Sequence, residues 1–187
     1  MRLTRPRIAP LDPAHADPET REQLAKLSAG GIGGGRVLNI FATLAHHPEL
    51  MRRWLVFGNH ILGKSTLPAR ERELAILRVG YLCKSEYEWG QHVLIARRCD
   101  ISDEEIGRVA AGPDAAGWSA ADAAVIRAAD ELHEDQMIED GTWAALSRSW
   151  NPQQLMDLVF TIGQYHLVAM ALNTLGVQRD PGVPPLP

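Results

Sequence analysis

Cysteine is scarce: Cys83 and Cys99 are the only two in 187 residues. Two thiols cannot frame a chain of this length with disulfides, so a reducing, cytoplasmic setting is the expectation. Positive charge is not in excess either. The formal net charge of −4 offers no general electrostatic reason to bind nucleic acid or an anionic membrane. The opening "MRLTRPRIAPL" is basic, but no apolar segment follows it, so a secretory signal is not expected. No apolar run reaches the ~18 residues of a membrane span. "IFATLAHHPELMRRWLVF" is broken by charge and proline, and "LMDLVFTIGQYHLVAMAL" carries Asp157, Gln164 and His166. Alternating strand patterns and fixed-period repeats are missing as well. The glycine run Gly30–Gly35, "GGIGGG", fits neither G-x-G-x-x-G nor a phosphate loop ending in GK[ST], so it reads as a flexible loop or lid.

What remains is helical punctuation. Residues 1–16 are proline-rich and read as an extended arm. "DPETREQLAKLS" is a short helix with Asp17 as N-cap and Pro18 at its first position. "NIFATLAHHP" reads as a helix capped by Asn39, and a second helix enters through Pro48. "LPARERELAILRVGYLC" is a buried helix, and the next runs from about Ser85 to Arg98. "SDEEIGRVAAG" opens with a capping box, Ser102 and Glu105, and closes on Gly112. Ser119 caps an alanine-rich helix. "DGTWAALSRSW" and a long helix ending at Gly176 complete the set, and "VQRDPGVPPLP" cannot continue it. The fold class is all-α: one helical bundle domain of seven or eight helices.

Several polar residues invite a functional reading. His46 and His47 precede Pro48 at a helix end, where capping the C-terminal dipole is the favoured role. His60 lies among apolar neighbours and either faces a site or is a satisfied core histidine. "DELHED", residues 130–135, spreads its acids around the helix and reads as a solvated helix end rather than a metal cluster. Tyr165, His166 and Asn173 punctuate an apolar helix, and could line a pocket or stitch helices together.

The densest stretch is "CKSEYEWGQH", Cys83 to His92. On a helix Ser85, Glu88 and His92 stand at i, i+3 and i+7 and share a face. If the preceding helix folds back in an antiparallel hairpin near Cys83, Glu73 returns beside His92. Two carboxylates, a hydroxyl and an imidazole at one spot suit proton transfer. The alternative for the same residues is a buried salt-bridge network joining Glu73, Arg78, Glu88 and His92.

The blocks "RERELAILRV", "EYEWGQH" and "ISDEEI", with "NIFATLAHHPELMRRW" upstream and "ALNTLGVQ" at the end, resemble the carboxymuconolactone decarboxylase family. That family includes the alkyl hydroperoxidase D-like (AhpD-like) proteins. The resemblance implies an all-helical AhpD-like domain over residues 39–177. It leaves an N-terminal arm with a short helix and the glycine loop at 1–38, and a tail at 178–187. It also implies homo-oligomers, trimers or hexamers, that act without a cofactor; that no nucleic-acid or membrane partner is expected follows from the charge and the apolar runs instead. The hydroperoxidase motif, E-x(11)-C-x-x-C-x-x-x-H, falls on Glu73 and His92 but places its cysteines at Ser85 and Glu88. Cys83 sits two positions early, so a dithiol cycle is not expected.

The decarboxylase branch, with a glutamate four residues before the histidine, fits better. The reading that follows is acid–base chemistry on a small carbonyl- or lactone-containing acid. His92 and Glu88 would be the acid–base pair, with Glu73 and Ser85 as catalytic partners. Tyr87, Trp89, His60 and Cys83 are substrate-binding candidates, and no metal is called for. The alternatives are a thiol-dependent peroxidase built on Cys83 and a non-catalytic helical binding protein. A metal site from His60, His92 and the two glutamates is a lesser option.

Overall fold

Proline and short polar side chains set the helix starts. The computed structural model describes residues 3–29 and 35–187, so the proposed lid at Gly30–Gly35 lies outside them except for Gly35. The described residues form nine α-helices, in order: α1 Pro18–Ala29, α2 Asn39–Leu44, α3 Pro48–Gly63, α4 Ala69–Leu82, α5 Glu86–Arg98, α6 Asp103–Ala111, α7 Ala120–Glu134, α8 Asp140–Leu146 and α9 Pro152–Leu175. Eight of them have seven residues or more, and the described residues hold no strand. The all-α expectation holds, and eight of the nine, α2 to α9, fall within residues 39–177.

The caps follow the sequence closely. Asp17 accepts from the Thr20 N–H, and Ser119 accepts from the Asp122 N–H. Ser102 with Glu105, and Asn151 with Gln154, form reciprocal capping boxes. Two caps differ. Asn39 is the first helical residue rather than the cap, which is Leu38, and its side-chain amide donates to the Gln178 carbonyl. His47 accepts from the Leu50 N–H, so it caps the start of α3 and not the end of α2.

Burial on all sides marks α4 as the central helix. Leu74, Ala75, Ile76, Leu77 and Val79 are fully buried, and α4 packs against α5, α7 and α9. A smaller cluster of Leu24, Ala45 and Met51 ties α1, α2 and α3 together beside this core. Of the described helices, α9 alone is long and apolar enough to cross a membrane, with mean hydropathy 1.4 over its best window. Its three polar interruptions do not bring it below that level. Within the bundle, 56% of the window is buried, and α9 serves as a wall of the core.

Both flanks are tied to this body. The Arg7 N–H donates to the Leu175 carbonyl, and the Leu11 N–H donates to the Ala42 carbonyl. Gly176, at φ +71°, ends α9 where a Cβ would stand 2.9 Å from the Arg5 carbonyl oxygen. The tail runs back over α5. A Cβ on Gly90 would lie 2.3 Å from Val183 Cγ1 and 2.4 Å from the Pro184 oxygen, so only glycine admits that crossing.

Candidate active site

The α4–α5 turn is three residues, Cys83 to Ser85, with Lys84 at φ +50°. The Ser85 N–H closes it on the Gly80 carbonyl at 2.8 Å. This reversal brings Glu73 back beside His92. Glu73 Oε2 lies 2.7 Å from His92 Nδ1, and Oε1 accepts from Arg72 Nε at 3.0 Å. Glu73 is fully buried, so its carboxylate depends on these two donors. A carboxylate at Nδ1 fixes the proton there and leaves Nε2 as the basic nitrogen of the ring.

Glu88 is the opposite case. It is buried, and neither carboxyl oxygen has a partner among the described residues. Burial pushes its pKa well above the usual carboxylate value of 4.5, which favours the neutral acid over the carboxylate. Gly80 makes room for it. A Cβ there would stand 3.4 Å from Glu88 Oε1 and 3.3 Å from the Trp89 nitrogen.

Glu88 and His92 both line a cavity of about 260 Å³ enclosed chiefly by α3, α5 and α9. Its wall is largely apolar, with Trp54, Leu55, Ile61 and Leu62 from α3. Gln91, Gln164 and Asn59 add neutral polar groups, and Lys26 is the cationic side chain of the lining. Tyr165 meets His92 edge-on, ring centroids 4.7 Å apart at 86°. Burial, aided by Glu73 and Glu88, holds its phenol well above its ordinary pKa of 10.0.

The other expected residues lie in different places. Ser85 precedes α5 with its hydroxyl buried and without a partner among the described residues, but it does not line the cavity. Tyr87 lines the cavity, and its hydroxyl donates to Asp180 Oδ2 at 2.6 Å. Trp89 turns into the core against Tyr81, since it sits one residue round the helix from Glu88. His60 points away to Asp157 at 3.1 Å. Cys83 ends α4 outside the cavity, 3.9 Å from His133 Nδ1. The four-residue ion network does not form. Arg78 instead grips Asp130 and the carbonyls of Val109 and Ala110.

Asp180 is the residue the sequence reading missed. It is buried and accepts from the Tyr87 hydroxyl, Gln91 Nε2 at 2.8 Å and the Asn39 N–H at 3.1 Å. It thereby holds one side of the cavity wall from the tail. Burial first, then Asp180, raise the Tyr87 pKa far above 10.0. Its only sequence signal is a lone acid in a Pro- and Gly-rich tail, which alone specifies nothing.

Comparison with known proteins agrees with this architecture. Residues 48–131 match the model of the carboxymuconolactone decarboxylase family. Among curated proteins none matches the chain. An uncharacterized peroxidase-related protein from Ralstonia eutropha JMP134, described as an alkylhydroperoxidase AhpD core, superposes with a TM-score of 0.82 at 18% identity, covering 94% of this chain and 93% of that one. An uncharacterized peroxidase-related protein from Silicibacter sp. TM1040 gives 0.80 at 19% identity, covering 97% of each chain. A cysteine-to-alanine variant of the debrominase Bmp8, in complex with 2,3,4-tribromopyrrole, gives 0.77 at 12% identity, covering 93% of this chain and 91% of that one.

Proposed function

From a carboxymuconolactone decarboxylase-type segment carried on an AhpD-like fold, we propose an enzyme that moves protons on a small carbonyl- or lactone-containing acid. The observation that carries this reading is the contrast between two neighbours on one helix face. Glu88 is a buried acid without a partner, whereas His92, four residues on, is held by Glu73.

The chemistry follows from those states. His92 Nε2 takes a proton from the carbon beside the carbonyl, and Glu73 stabilises the imidazolium that results. Glu88, still protonated, donates its hydrogen bond to the carbonyl oxygen as enolate charge develops there. Return of the proton to another carbon gives isomerisation. Loss of a β-carboxylate as CO₂ reaches the same enolate, which Glu88 then protonates. The cavity, below the ~300–1,000 Å³ of drug-sized sites, suits a small ring. Its apolar wall would hold that ring, with a carboxylate directed toward Lys26 at the α1 side.

The thiol reading has less support. Cys83 and Cys99 lie beyond opposite ends of the 13-residue α5. That separates them by about 20 Å, far beyond disulfide reach within one chain.

The test is proton exchange followed by NMR in D₂O with small lactones and keto acids. Wild type should label or convert the substrate, and His92→Ala and Glu88→Gln should each lose turnover by about 10²-fold or more. The proposal fails if both variants keep full turnover, or if Cys83→Ser alone abolishes it.

A further inference from the structure

Outside the cavity, three ligand-type side chains converge where α4, α7 and α9 meet. Cys83 closes α4, His133 lies in the last turn of α7, and His166 stands in the middle of α9. One ligand atom from each falls within 4.8 Å of the others. His133 Nδ1 is 3.0 Å from His166 Nε2, and Cys83 Sγ is 3.9 Å from the same His133 nitrogen. The two imidazoles stack with centroids 5.2 Å apart.

The orientation of His166 is set from behind. Its Nδ1 lies 2.8 Å from the Ile162 carbonyl, which places the proton on Nδ1 and leaves the Nε2 lone pair toward the cluster. A carbonyl fixing the far nitrogen is the outer-sphere arrangement found at metal-ligating histidines. His166 follows Tyr165, and successive helical residues diverge by about 100°, so α9 presents one to the cavity and the other to this cluster.

We propose that Cys83, His133 and His166 form a binding site for one divalent transition-metal ion, zinc by ligand type, with a fourth position open to water. Tetrahedral zinc, at about 2.0–2.1 Å to nitrogen and 2.3 Å to sulfur, sets N···N near ~3.3 Å and N···S near ~3.6 Å. The His133–His166 and Cys83–His133 distances lie on either side of these values, within a few tenths of an ångström, and Cys83 and His166 approach within 4.8 Å. A thiolate with two imidazoles selects zinc, cobalt or copper over magnesium and calcium. All three residues are half-buried, which gives an ion a path in and water a place to complete the sphere. Three ligands with an open position are the pattern of reactive zinc sites rather than of closed structural ones. The site stands apart from Glu88 and His92, and its assignment does not depend on the proton-transfer reading.

The experiment uses the full chain, stripped with chelator, dialysed and titrated with Co²⁺ and then Zn²⁺. The expected result is one ion per chain, with a sulfur-to-cobalt charge-transfer band and the strong visible bands of four-coordinate cobalt, bleached by zinc. Cys83→Ser removes the charge-transfer band, and His166→Gln weakens binding by at least about tenfold, each with unchanged helical circular dichroism. Cys99→Ser binds as wild type. The proposal is overturned if no stoichiometric ion binds, if the band survives Cys83→Ser, or if Cys99→Ser is the variant that abolishes it. In the first case, the contact is a plain imidazole–imidazole hydrogen bond.

Discussion

Glu73 and His92 are nineteen residues apart in sequence and 2.7 Å apart across the α4–α5 hairpin. Glu88, on the same helix as His92, is left without a partner. In the proposed reaction the first relationship supplies the base and the second the acid.

Glu73→Gln keeps the shape of the side chain but removes the charge behind His92. Turnover should fall by about 10²-fold, read as kcat, because the imidazolium loses its stabilising neighbour. Stability should fall by about 3 kcal/mol, since Arg72 is left buried with a neutral partner. Urea unfolding measures the second effect separately from the first. Full kcat with reduced stability would make Glu73 a structural anchor only.

Glu88 predicts a pH dependence of stability. Its folded pKa is raised by burial above the unfolded value near 4.5. The stability tied to its neutral form is therefore complete below about pH 4.5 and is lost as pH rises through the folded pKa. Glu88→Gln cannot ionise, so its unfolding free energy should decline less across that window. Parallel wild-type and variant curves would show that Glu88 titrates normally.

The tail is expected to act through α5. Asp180→Ala strands the Tyr87 hydroxyl, Gln91 amide and Asn39 N–H, and should cost about 2–4 kcal/mol. Gly90→Ala inserts a methyl where Val183 and Pro184 cross, and should release the tail without unfolding the bundle. Hydrogen exchange over residues 177–187 reads this directly. Unchanged protection in Gly90→Ala would contradict the close crossing.

One face of α9 bears on assembly. Met156, Phe160, Leu167 and Met170 are 61%, 55%, 53% and 66% exposed and recur at helical spacing on its outer side. We propose that a second copy of the chain covers them in a trimer or hexamer. Leu167→Glu with Met170→Glu should shift the mass in solution to the monomer, measured by light scattering. A wild-type monomer at micromolar concentration would remove this reading.

Much of this was legible before any coordinates, and for local reasons. The Ser102 capping box, Ser119, Pro48 and Gly176 act within one helical turn, so their helices could be placed from spacing alone. The Glu73–His92 contact was legible because a three-residue turn leaves a helical hairpin few registers. Longer connections were not. Asn39 looks like a cap, yet the helix starts one residue earlier and the Asn39 amide meets Gln178, 139 residues later. Asp180 looks like a solvated acid until the tail folds over α5. His133 was read as part of a solvated helix end because its cluster draws one residue from each of three helices, a meeting that no local spacing encodes.

The strap across α5 also sets an order of events in synthesis. Asp180 is made 89 residues after Gln91, its hydrogen-bond partner. At roughly 5–20 residues per second, the helix bearing Glu88 and His92 waits for several seconds before its outer wall exists. Through that interval the Tyr87 hydroxyl and Gln91 amide must be served by water, and the cavity takes shape only at the end, when α9 supplies one wall and the tail closes over α5.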